Sequence, residues 1–298
     1  MKKILVSRLV NIETSLNVDS FPINYSPIEY PFFGVNSVVS GVGFNVAKAL
    51  QTLGSSVDLL TEVGDDLNGE IIKNQIGRVG LSLDNVITYP QSKSAESVVL
   101  VDSLGNRKIY CDLKNIQERN PIDPSKVNFK NYSLVALTNI NFNRELLKVA
   151  KEKGIKIATD VHVLYDINDE YNKDFMANAD ILFLSNESIK DREADFMKEI
   201  YNKYHNEIIV CGCGNEGALL YLGKEDKFLY EPAVAPRGVV STLGAGDALF
   251  ASFIHFFNKK YSIPKCLKLA VLFAGLKISV PGGSNGFVNE EELFEFIK

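Results

Sequence analysis

Short β-branched and leucine-rich runs alternate with stretches of helical periodicity along most of this chain, and that alternation leaves few folds open. The run at residues 3–9 has the composition of a strand buried on both faces of a parallel sheet. Comparable runs at 57–61, 133–137, 155–159, 181–184 and 208–210 are interleaved with helical patterns at 45–53, 68–78, 143–153, 169–177 and 193–204. Gly54, Gly80 and Gly154 stand near helix ends, where a residue tolerant of positive φ closes the last turn at little cost. Strands alternating with helices of this length predict an α/β fold with a mostly parallel sheet and right-handed crossovers.

Two segments break the alternation. Residues 13–41 carry Pro22, Pro27 and Pro31 among Phe21, Tyr25, Tyr30, Phe32 and Phe33. Residues 97–101 and 107–111 flank the turn sequence Asp102-Ser103-Leu104-Gly105-Asn106 and predict a β-hairpin. Together these short strands make a small second sheet over one edge of the main one, with aromatics that line a ligand cleft, form a dimer contact or pack as core. At 298 residues two domains are affordable by length, at roughly 150 residues each. The chain shows no repeat, linker or boundary, so 1–298 reads as a single domain with a lid built from insertions at about 13–41 and 96–112.

Charge narrows the function classes. Lys+Arg 32 against Asp+Glu 37 leaves −5, the wrong sign for a nucleic-acid footprint. Cys111, Cys211, Cys213 and Cys266 are too scattered for a disulfide scaffold, and Cys-Gly-Cys lacks the second pair of a zinc site, so buried reduced thiols are expected. Arg8 interrupts the first apolar run, which reads as a strand and not a signal peptide; the apolar stretch 270–280 is too short for a bilayer and contains Lys277. A cytoplasmic protein without a membrane role is the expectation.

The segment richest in chemistry is Ser241-Thr242-Leu243-Gly244-Ala245-Gly246-Asp247, followed by an almost wholly apolar run at 248–257 that predicts a buried helix. A helix start presents unsatisfied N–H groups, and small residues let an anion approach them. An Asp beside such a site either caps the helix or accepts a hydroxyl proton while the N–H groups stabilise a moving phosphoryl group. The spacing is neither a Walker A loop nor the GxGxxG fingerprint. A second group, Ser40-Gly41-Val42-Gly43-Phe44-Asn45-Val46-Ala47, opens another helix, with Asn45 a cap or a ligand donor.

In this order along the chain, Gly41 to Ala47 with Leu53-Gly54, then Val63-Gly64-Asp65-Asp66 with Gly69, then Asn186-Glu187, then Thr242 to Asp247, the sequence resembles the ribokinase-like, PfkB-type family of carbohydrate and nucleoside kinases. The resemblance covers nearly the whole chain. It implies a ribokinase-like three-layer sandwich with a β-sheet lid, and ATP with Mg2+ as cofactors. It implies that Asp247 is the catalytic base and that Gly244, Ala245 and Gly246 form the anion hole. Asn11, Glu13, Gly41, Val42 and Asn45 fall at substrate positions. Asn186, Gly214, Thr242, Gly244, Gly246, Gly282, Gly283, Ser284 and Asn285 fall along the nucleotide, and Asn186 and Glu187 are candidates for holding magnesium through water. Related enzymes pair through the lid, which implies a homodimer.

Several departures bear on substrate and cations. Ile189 stands where the Asn-x-x-Glu element has Glu, Ser40 replaces a glycine, and Ser241 replaces the Asp that helps form a monovalent-cation site. Val42 stands where several phosphosugar kinases have Lys, which argues against a phosphorylated acceptor. The expected activity is therefore ATP-dependent phosphorylation of a hydroxyl on an unphosphorylated sugar. A nucleoside kinase of the pseudouridine type and a non-catalytic sugar- or nucleotide-binding regulator are the alternatives. Asp160-Val161-His162 follows a strand, where His162 serves as a turn residue or a ligand donor.

Overall fold

Ile4 and Val6 of the first strand enter one hydrophobic core and Leu5, between them, enters another. This period-two split requires a sheet covered on both faces. The computed structural model describes residues 2–104, 106–119 and 121–297. The chain begins with β1 (Lys3–Ser7), β2 (Asn11–Asn17), β3 (Val35–Ser40) and α1 (Val42–Thr52). It continues through β4 (Val57–Gly64), α2 (Leu67–Arg78) and β5 (Val86–Tyr89) to the hairpin β6 (Glu96–Val101) and β7 (Arg107–Asp112). Then follow β8 (Tyr132–Leu137), α3 (Arg144–Glu152), β9 (Lys156–Val163), α4 (Lys173–Asn178), β10 (Ile181–Ser185), α5 (Glu193–Tyr204) and β11 (Ile208–Gly212). The last elements are β12 (Gly217–Leu222), β13 (Lys227–Pro232), α6 (Ala245–Asn258), α7 (Ile263–Lys277) and α8 (Glu290–Glu295).

Among the described residues, nine strands form the main sheet in the order β13-β12-β11-β10-β9-β8-β1-β4-β5. The pairs from β11 to β5 are parallel, and β12 and β13 extend one edge antiparallel. On one face Phe44 of α1, Ile72 of α2, Phe250 and Phe253 of α6, Phe273 of α7 and Leu293 of α8 share a core; on the other, Leu146 of α3, Phe175 of α4 and Phe196 of α5 share the second. Each fully buried side chain of this size contributes roughly 1.5–3 kcal/mol, so the three layers carry the fold. This is the mostly parallel α/β sheet expected from the alternation, in the three-layer sandwich that the resemblance implies.

The lid sheet has the order β3-β2-β6-β7, with a parallel β2–β6 pair at its centre and antiparallel neighbours. It draws on both segments that broke the pattern. Gly105, in the expected hairpin turn, lies outside the described residues; Asp102 Oδ1 accepts from the Leu104 and Asn106 backbone N–H groups. Because β1 lies between β4 and β8, the chain leaves in one sheet direction and returns in the other, which opens a crevice at the carboxyl ends of the strands. The lid is rooted at that crevice, since β2 begins at Asn11, just after β1 ends at Ser7.

Some boundaries differ from the sequence expectation. The fourth helical pattern shortens to α4 because Asp166 and Asp169 side chains accept backbone N–H bonds from Asn168 and Asn172, making turns there. The apolar stretch 270–280 is the end of α7 and the turn after it, and the sequence pattern does not predict β5, β12 and β13. Cys111 is exposed on the lid's outer strand, contrary to the expectation of buried thiols, whereas Cys211, Cys213 and Cys266 are buried. Among the described residues, no helix is long and apolar enough to cross a membrane.

Candidate active site

Two glycines let the chain close one end of the crevice. Gly41, at φ 88, precedes α1, and a Cβ there would stand 2.8 Å from Asn11 Oδ1; a Cβ on Gly43 would stand 2.6 Å from the carbonyls of Arg8 and Leu9. The segment between β1 and β2 therefore lies directly on the start of α1, with the Gly43 N–H bonded to the Leu9 carbonyl at 2.7 Å. Val42 is half-buried as the first residue of that helix. Asn11 donates its amide to Ser97 Oγ at 2.8 Å, while its Oδ1 is buried with no partner among the described residues.

Asp247 sits in the first turn of α6 and is buried. Asn45 Nδ2 donates to its Oδ2 at 2.8 Å, which brings the two glycine segments together across 202 residues of sequence. Burial pushes the Asp247 carboxyl above the ordinary range; Arg8, the Asn45 bond and His162 pull it down, and Asp160 adds to the rise. Arg8 is fully buried over the Phe250 ring at 4.5 Å, and its three guanidinium nitrogens have no hydrogen-bond partner among the described residues. It lies in the field of Asp160 and Asp247. His162, at φ 59, bonds through its N–H to Asp160 Oδ1 at 2.8 Å, so it closes a turn beside this cluster.

Glu13, on β2, has its carboxyl raised by burial and lowered by bonds from Ser40 and the Gly283 backbone N–H. The Ser40 hydroxyl lies 3.3 Å from both Glu13 Oε2 and Asn45 Oδ1, able to donate to either. Ser40 thus links the two polar residues of the crevice. Where the resembled signature has a glycine, this serine adds a hydroxyl that bonds within the crevice.

At the start of α6, Gly244 has φ 75, and a Cβ there would stand 2.2 Å from the Gly283 carbonyl. The Ala245 N–H bonds to the Thr242 carbonyl at 3.2 Å, while Gly246 and Asp247 lie where the helix supplies no acceptor for their N–H groups. A Cβ on Gly246 or Gly214 would meet nothing within 4 Å, so both border open space. Ser284, expected along the nucleotide, has its hydroxyl engaged within the protein. It is buried, its hydroxyl donates to the Val39 carbonyl at 3.1 Å, and its own carbonyl accepts from Lys48 at 2.7 Å. Loop 281–286 therefore braces the lid and α1, with Gly283 inside and Asn285 exposed and bonded to the Pro281 carbonyl.

On the other side of the α6 start, Arg107 at the head of β7 donates to Thr242 Oγ1 at 3.3 Å and lies 3.9 Å from Glu187. A lid cation thus stands beside Thr242. Asn186 donates its amide to Glu193 Oε1 at 2.8 Å, so a carboxylate at the start of α5 stands beside the residue whose neighbour Ile189 lacks one. Among the described residues, no group of three or more His, Cys, Asp or Glu is placed to hold a metal ion alone. A magnesium bound chiefly by phosphates and water needs only one or two carboxylates, which Glu187 and Glu193 can supply. Sequence reasoning missed Arg107, Glu193 and Arg8; only Arg8 left a signal, as a charge interrupting an apolar strand.

The sequence matches the family described as pfkB family carbohydrate kinase over residues 1–290. It is 24% identical over 306 residues to a deoxyribokinase of Salmonella typhi, covering 99% of this chain and 97% of that protein. It is also 23% identical over 286 residues to the bifunctional protein HldE of Aliarcobacter butzleri, covering 88% of this chain but 56% of that protein's length. The solved structure of a microbiome-derived acarbose kinase superposes with a TM-score of 0.88 at 24% identity, over 99% of this chain and 98% of the other. Its likeness concerns the fold alone. With the family matched over nearly its whole length, the chain belongs to the pfkB family of carbohydrate kinases, which are phosphotransferases.

Proposed function

We propose that this protein transfers the γ-phosphoryl group of ATP to a hydroxyl of an unphosphorylated sugar, with Asp247 as general base. The observation that carries the reading is the buried Asp247 carboxylate in the first turn of α6, held by Asn45 and facing the same crevice as Glu13 and Asn11. Asn45 engages Oδ2, so Oδ1 is the oxygen that takes the hydroxyl proton. Proton removal and phosphoryl transfer then occur at one helix start, where the Gly246 and Asp247 N–H groups face the charge on the transferred group.

Acceptor recognition follows from the polar inventory. A sugar hydroxyl donating to Asn11 Oδ1 would satisfy an acceptor whose isolation costs about 1–3 kcal/mol. Glu13 accepts further hydroxyl hydrogens, and the lid excludes competing water. The name of the deoxyribokinase relative supports a free sugar as the acceptor class. Asn186, Gly214, Thr242, Gly282 and Gly283 border the nucleotide, with Arg107 and the α6 start at its phosphates and Glu187 and Glu193 toward magnesium. When bound, MgATP supplies the phosphoryl group and the metal charge that neutralises phosphate oxygens.

The test is ADP release with MgATP across paired panels of free sugars, sugar phosphates and nucleosides, repeated with Asp247→Asn. Turnover of a free sugar that disappears in the variant supports the reading. Turnover of a nucleoside but not its sugar assigns a nucleoside kinase, and binding without turnover across the panel assigns a regulator.

A further inference from the structure

Lys277, the last residue of α7, is fully buried, and the proposed reaction does not use it. Its Nζ donates to the Gly282 carbonyl at 2.7 Å. Burial lowers its pKa to about 8, while Asp247 and Glu13 favour its charged form. The loop it holds reaches from the side of Ser40 and Asn45 to the start of α6. Gly283 lies against Ser40 and Asn45 and packs on Gly244, and Ser284 ties the loop to β3 and α1. At its far end, a Cβ on Gly286 would stand 2.3 Å from Val280 Cγ2 and 3.0 Å from the Lys277 carbonyl, so the loop folds tightly back on the end of α7.

The family resemblance implies a monovalent cation beneath this loop, helped by an Asp where this chain has Ser241. The residues present do not fit one. Ser241 accepts from the Leu243 N–H at 3.4 Å, and the N–H groups of Val240 and Ser241 both bond to the Ile278 carbonyl, at 2.8 and 3.0 Å. The Gly282 carbonyl accepts from a fixed ammonium, and the carboxylates in the field of that ammonium are Glu13 and Asp247. A second cation there would face Lys277 at close range in a dry setting, where like charges repel strongly.

We propose that Lys277 is a tethered cation that holds loop 281–286 against the start of α6, so that this chain binds nucleotide and turns over without K+ or Na+. Lys277 is a positioning residue, acting through Gly282 and Gly283 on Gly244. The proposal rests on the kinase reading of the site, but its test does not need a known acceptor.

Calorimetric binding of ATP, with magnesium, is compared in tetramethylammonium chloride and in KCl at equal ionic strength, for the wild type, Lys277→Ala and Ser241→Asp/Lys277→Ala. The wild type is expected to bind equally in both salts. Lys277→Ala is expected to bind more weakly in both, and the double variant is expected to recover affinity in KCl alone. A K+ effect of about fivefold or more on the wild type, the lower end of a working coupling between sites, overturns the proposal. So does unchanged ATP affinity in a folded Lys277→Ala. If the variants fail to fold, the wild-type comparison still decides cation independence. Failure of the kinase reading shows separately, as absence of ADP release from every acceptor while wild-type ATP binding remains indifferent to K+.

Discussion

Asp247 is useful as a base only if it loses its proton inside a dry crevice, and its neighbours decide that. Burial raises its pKa and the Arg8 guanidinium opposes the rise most strongly. The acid limb of kcat/KM is therefore expected above the usual carboxylate range, and Arg8→Met is expected to move it higher, because the largest opposing charge is removed. A limb that stays in place in Arg8→Met would remove Arg8 from the mechanism. The same shift bears on stability. A carboxyl with a raised folded pKa opposes folding when ionised; this cost is complete above the folded pKa and vanishes as pH falls below the unfolded value. Asp247→Asn is thus expected to keep or raise Tm at neutral pH while kcat falls roughly 10²–10⁴-fold, the usual contribution of a general base. A lower Tm with wild-type turnover would contradict both assignments.

The start of α6 is an element whose geometry depends on missing side chains. At Gly244 a Cβ would meet Gly283 at 2.2 Å in a positive-φ conformation, whereas at Gly246 it would meet nothing. Gly244→Ala is expected to cost about 1–3 kcal/mol through backbone strain, before counting the clash, and to lower Tm. Gly246→Ala is expected to leave Tm unchanged and weaken ATP binding, because its methyl group fills the space an anion needs. Equal ATP affinity in Gly246→Ala would place the phosphates elsewhere. This helix start was legible in the sequence because small residues, an Asp and an apolar run are adjacent along the chain. The long-range partners were not: Arg107 reaches Thr242 across 135 residues, and no local pattern encodes that approach. Ser284 shows the converse, since a serine in a glycine-rich loop carries no local sign that its hydroxyl faces a strand 245 residues earlier.

At the scale of the whole molecule, the three layers were written in hydrophobic periodicity, because both faces of the central strands are buried. The antiparallel edge of β12 and β13 was not, since an edge strand with partly exposed residues carries a weaker pattern. The lid is the part least explained by a single chain. It is one sheet thick, and its strands β6 and β7 carry Val98 and Tyr110 as a cross-strand pair, 41% and 52% exposed. A four-stranded sheet with an uncovered apolar pair gains by packing that face on another surface. A second copy of the lid is the partner that symmetry offers at no further cost in sequence, as in isologous dimers. Light scattering is therefore expected to give the mass of a dimer, and a charge placed in the pair, Val98→Lys, is expected to give a folded monomer with unchanged far-ultraviolet circular dichroism. A wild-type mass of one chain at every concentration would leave the lid as a single-chain cover over the crevice.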